Sequence, residues 1–84
     1  MKTTFSEEYQ QITNALIAAR KERDLRQADI AEKLGKPQSF VAKYEGRERR
    51  LDVVEFVSVC RAVGVSPVLI LQKAGLVGDI DLKT

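Results

Sequence analysis

The sequence has no histidine at all, one cysteine (Cys60) and only two prolines, Pro37 and Pro67. With no imidazole and a single thiol, neither a zinc centre nor an acid–base site of the usual ligand types can be assembled, and an internal disulfide is impossible. No nucleophile–base constellation is present either, so catalysis would rest on scattered carboxylates with no pocket to gather them. An enzyme is therefore not expected, nor is a metal or cofactor. No run approaches the ~20 apolar residues that cross a bilayer. The opening stretch MKTTFSEEYQQ lacks the apolar core of a signal peptide, which makes a cytoplasmic protein the expectation.

The 84 residues are 44% apolar and 31% charged, an ordinary composition for one small globular domain. A large substrate cavity is not expected in so short a chain. The formal net charge of +2 understates a local asymmetry. Residues 1–35 balance six cations against six acids, and residues 51–84 set three against four. Residues 36–50 hold Lys36, Lys43, Arg47, Arg49 and Arg50 against only Glu45 and Glu48. Positive charge gathered in one stretch points to an anionic partner more strongly than the net charge does.

Apolar spacing and punctuation predict five helices. Ser6 before Glu7 and Glu8 reads as a cap followed by acids that offset the helix dipole, and Phe5, Tyr9, Ile12, Leu16 and Ala19 recur at helical spacing, giving a helix over 6–23. QADIAEKLG places Ile30, Ala31 and Leu34 on one face and stops at Gly35, giving a helix over 27–34. Pro37, with a fixed φ and no N–H to leave unpaired, suits the first turn of a third helix over 37–45, closed by Gly46. In it Val41 and Tyr44 point inward with Phe40 at their flank, leaving Gln38, Ser39, Ala42 and Lys43 outside.

Asp52 and Glu55 stand at capping-box spacing before a stripe of Val53, Phe56, Val57, Cys60 and Val63, a helix over 52–63. Ser66–Pro67 opens a fifth helix over 66–74, and residues 75–84 form a short tail. No strand alternation of convincing length, repeat or low-complexity linker appears, and a short strand stays open only for the tail. The expected fold is therefore all-α, in a single domain over 1–84.

Two short helices joined at Gly35–Lys36, the second opened by proline and followed by arginines, describe a helix-turn-helix. With Gln27 at the start of the first helix, the small Ala31, the turn residue Gly35 and the buried Val41, residues 27–46 resemble the phage-repressor (Cro- and Xre-type) helix-turn-helix. The resemblance runs on through YEGRERRLDVVEFVSVCRAVGVSP and covers roughly residues 12–71. It implies a compact five-helix, lambda-repressor-like DNA-binding domain. Ala31 has to be small because two helices cross closely there, and Gly35 can take positive φ at the turn.

The same resemblance implies that the third helix lies in the major groove of double-stranded DNA, with Gln38, Ser39 and Lys43 facing base edges beside Pro37. Gln27 and its backbone N–H would touch a phosphate, and Arg47, Arg49 and Arg50 would lie along the flanking backbone. Glu45 would be a structural partner of Arg20. Two departures stand on the DNA side: Lys36 replaces an apolar residue, and Arg26 and Pro37 replace Ser or Thr caps. Lys36 and Arg26 turned outward toward phosphates would explain them. Phe40 is either a base-stacking aromatic or part of the core flank, the latter being commoner at such a position. Cys60 reads as a small buried hydrophobe.

The C-terminal series Val68, Leu69, Ile70, Leu71, Leu76, Val77, Ile80 and Leu82 is denser than one short helix can hide. A homodimer through Leu69, Leu71, Leu76, Val77 and Ile80 fits it; the alternative is that this segment only closes the core. The expected function is a DNA-binding transcriptional regulator, a repressor that binds an inverted repeat as a dimer. An antitoxin or a restriction–modification controller of the same fold is one alternative. A protein-interaction module that leaves the basic face unused is another.

Overall fold

The computed structural model describes residues 6–78, and within them the chain forms five α-helices and no strand: α1 Glu7–Glu22, α2 Gln27–Leu34, α3 Gln38–Glu45, α4 Val53–Val63 and α5 Pro67–Lys73. Phe5, Ile80, Leu82 and the end of the tail lie outside the described residues.

The starts of α1, α4 and α5 follow from side-chain caps. Ser6 Oγ accepts from the Tyr9 N–H at 3.1 Å, and Ser66 Oγ accepts from the Val68 N–H at 3.2 Å. At α4 the capping is reciprocal: Asp52 Oδ1 accepts from the Glu55 N–H at 2.7 Å while Glu55 Oε1 accepts from the Asp52 N–H at 2.9 Å. Pro37 differs from the sequence-based expectation. With ψ at 154° its backbone is extended, so it caps α3 from outside the first turn. Its fixed φ suits that position equally well, and the first turn loses no donor.

The turn between α2 and α3 is made by Gly35, which takes φ +67° and lets the Lys36 N–H reach back to the Ala31 carbonyl at 3.0 Å. α3 closes differently. Gly46 keeps a negative φ of −81°, and the left-handed residue is the next one, Arg47, at φ +62°.

The core gathers Leu16 and Ala19 of α1, Ile30 and Ala31 of α2, Val41 and Tyr44 of α3, Val59, Cys60 and Val63 of α4, and Ile70 of α5. Burial of side chains the size of Leu16, Ile30 or Ile70 contributes about 1.5–3 kcal/mol each. Two corrections to the apolar stripes emerge. Val53 is 78% exposed, because the first residue of α4 projects beyond the body of the domain; the buried stripe is Val59, Cys60 and Val63, with Phe56 and Val57 half-buried. In α1 the polar Thr13 is buried at 1% exposure, its hydroxyl satisfied by the Tyr9 carbonyl at 3.3 Å. Burying that hydroxyl is tolerable only because of this bond.

α2 and α3 pack on each other, α1 backs α3, and α4 backs α2. The α3 backbone does not approach α4 directly. The helix-turn-helix is thus held from behind by α1 and α4, and the outer side of α3 stays uncovered.

Candidate nucleic-acid interface

On α3, burial of Val41 and Tyr44 at 0% and 1% exposure fixes the rotation of the helix. At 100° per residue, the opposite side must then carry Gln38, Ser39, Ala42 and Lys43, and all four are exposed. The sequence-based expectation for this face and the structure coincide.

Gln38 is not free to rotate at random. Its Nε2 donates to Gln27 Oε1 at 3.4 Å, and Gln27 Nε2 donates in turn to Glu45 Oε1 at 2.9 Å. Glu45 is gripped by Arg20 through Nε–Oε2 at 2.7 Å and Nη2–Oε1 at 3.0 Å, the pairing that the resemblance implied. Four polar side chains from α1, α2 and α3 therefore link the buried side of α3 to its exposed start. The Glu45 hydrogen bond, against the opposing effect of burial, raises the Arg20 pKa further above its ordinary value. Sequence spacing gave no sign that Gln27 would serve as the middle of this chain.

The basic residues each have different neighbours. Arg26 pairs with Asp29 in the first turn of α2, donating from Nε and Nη2 at 3.3 and 3.1 Å, while its side chain stays 80% exposed. Lys36 is exposed, and its Nζ stands 5.3 Å from the Phe40 ring centroid at the mouth of the crevice toward α4. Arg47 donates from Nη2 to Asn14 Oδ1 on α1, while its Nε is buried with no hydrogen-bond partner among the described residues. Arg49 forks Glu55 at 3.1 and 3.2 Å. Arg50 lies over the Tyr9 ring at 5.4 Å. Phe40 is half-buried and meets Tyr44 edge to face at 5.7 Å, which takes its ring into internal packing.

Side by side, an exposed α3 face with two amide-bearing starts, Gln27 and Gln38, and a basic loop over residues 46–52 is the arrangement of a helix-turn-helix DNA-binding domain. The helix-turn-helix family model matches residues 16–70, about two thirds of the chain. Among solved structures, an XRE-family like protein from Pseudomonas syringae pv. tomato str. DC3000 is 44% identical, with 81% of this chain and 83% of that chain covered and a TM-score of 0.77. The comparison with curated proteins gives no match. The chain belongs to the Cro/Xre-type helix-turn-helix family, a family of DNA-binding transcription regulators. Among the described residues no single helix is long and apolar enough to cross a membrane.

Proposed function

We propose that this protein is a cytoplasmic transcriptional repressor that binds an inverted repeat in duplex DNA as a homodimer and acts by occluding a promoter. α3 enters the major groove. Gln38 pairs with the N6 and N7 edge of an adenine, Lys43 donates to guanine O6 and N7, and Ser39 hydrogen-bonds an adjacent base. Gln27 and its N–H hold a phosphate at the start of α2, and Arg47 and Arg50 lie along the flanking backbone. The observation that carries this is the exposure of Gln38, Ser39 and Lys43 on one side of a helix whose other side is fully buried.

Dimerisation is supported by the apolar surface left at the α5 end, where Val68, Leu69, Leu76 and Val77 are 44%, 39%, 39% and 36% exposed. Leu71 is half-buried, and Ile70 is spent on the core. A two-fold pair would set two α3 helices about one DNA turn apart, ~34 Å.

Gel retardation of random and selected duplexes tests DNA binding. Affinity for random duplex should fall steeply with salt as phosphate contacts release counterions. Sedimentation tests the dimer, and a monomer at high micromolar concentration contradicts it.

A further inference from the structure

We infer that Arg49, in the basic loop after the recognition helix, is a positioning residue that clamps α3 to α4 and does not itself bind phosphate. The inference rests on the DNA-binding function proposed above. Arg49 meets Glu55 through both terminal nitrogens, at 3.1 and 3.2 Å, the fork geometry in which a guanidinium matches a carboxylate. The same guanidinium lies over the ring of Phe40, with Cζ 4.7 Å from the centroid. Phe40 belongs to α3 and Glu55 to the first turn of α4, so one side chain touches both helices.

Backbone packing does not hold the two helices together at that edge. The α3 backbone packs against α2 and α1 but not against α4, and between Phe40 and α4 lies an open crevice of about 240 Å³ lined by Leu34, Lys36, Phe40, Val54, Glu55 and Ser58. A crevice supplies no close packing to fix an angle, so the polar contact across its rim sets the separation. Both ends of the clamp are themselves held. Phe40 rests edge-on against the buried Tyr44, and Glu55 also accepts the Asp52 N–H at 2.9 Å as part of the α4 cap. A phosphate taking Arg49 would have to displace a bidentate carboxylate already in place and uncover the ring. Lysine could supply the charge here but neither the fork nor the flat face.

The competing role is that Glu55 is a decoy, holding Arg49 until DNA takes it. The two roles give opposite signs for Glu55→Gln. The test uses the full chain with two probes: the duplex enriched from a random pool and a random-sequence duplex of equal length. Affinities are measured at several salt concentrations and at a temperature where circular dichroism shows every variant folded.

As a clamp, Glu55→Gln and Arg49→Ala each weaken the enriched duplex by about fivefold to tenfold, and the double variant is no worse than the worse single one, because neighbours in one network are non-additive. Arg49→Lys behaves like Arg49→Ala, random-duplex affinity hardly changes, and the salt slope keeps its wild-type value. Equal weakening of both duplexes would mark a loss of stability alone and overturns the inference. Tighter binding by Glu55→Gln overturns the inference, as does a salt slope reduced by about one in Arg49→Ala and restored in Arg49→Lys. Failure of the wild-type protein to enrich any sequence strikes the DNA-binding function itself, and is distinguishable from either result.

Discussion

Arg20 and Glu45 stand 25 residues apart in the chain and meet in a two-pronged ion pair whose side chains are only 11% and 7% exposed. Arg20 Nη1 also donates to the Leu25 carbonyl at 2.7 Å, so the pair fastens the α1–α2 connection to the end of α3. A buried ion pair contributes modestly compared with apolar residues of the same volume. Removing one partner, however, strands a charge in a place that water reaches poorly. Glu45→Ala should therefore cost about 3 kcal/mol in urea unfolding. Arg20→Met with Glu45→Leu should cost clearly less than that single change, since no charge is left behind.

Arg47 presents the opposite balance. At φ +62° it occupies backbone that disfavours a side chain by roughly 1–2 kcal/mol, and its Nε is buried without a partner among the described residues. Among the described residues its compensations are the side-chain bond to Asn14 and the bond from its own N–H to the Tyr44 carbonyl at 3.2 Å. Arg47→Gly should leave stability unchanged or raise it by up to about 1 kcal/mol. The same variant should bind DNA more weakly, with a salt slope smaller by about one. A strained residue kept for a phosphate contact predicts both effects; thermal unfolding and salt-dependent retardation measure them.

The fold was legible because its signals are local. Ser6, Asp52 and Ser66 announce helix starts, Gly35 and Gly64 announce stops, and Val41 with Tyr44 orient α3 through simple periodicity. What stayed hidden joins residues far apart in sequence. The bond between Asn14 and Arg47 spans 33 positions, and no spacing rule connects an exposed α1 amide to a loop arginine. Gln27, expected from the sequence to touch a phosphate, also bridges Gln38 and Glu45. Arginines 47, 49 and 50 were equivalent as sequence, and became different residues only once the loop gave them separate neighbours. Val53 was misplaced because periodicity reports a helix face and not whether the helix end overhangs its support.

The pH dependence of folding should be one-sided. Glu55 is held below the usual carboxylate range chiefly by Arg49, and Asp29 by Arg26. For a depressed acid the stabilisation is complete above the unfolded pKa, about 4.3 for Glu and 3.9 for Asp, and is lost as pH falls through the folded value. With no histidine in the chain, midpoints in urea should be nearly flat from pH 5.5 to 8 and fall below about pH 4. Glu55→Gln should make the acid limb shallower.

Cys60 lies fully buried on the inner stripe of α4, and desolvation pushes its thiol up to about 11. The reactive species is the thiolate, so the native protein should resist a thiol reagent at pH 8 and react at once in denaturant. Fast native labelling would contradict the packing of α4 against α1 and α2.

If α3 reads base edges through Gln38, sequence selection from a random duplex pool, run in parallel on the wild-type protein and on Gln38→Ala, will separate the two proteins at single positions. The wild type should enrich an inverted repeat with half-sites about 10 base pairs apart. Gln38→Ala should lose the preference at one position in each half-site while keeping the spacing and the remaining bases, at a cost of about 1–3 kcal/mol. Enrichment of the same motif by both proteins, with affinity lowered evenly across all sequences, would place Gln38 outside the groove and contradict the account.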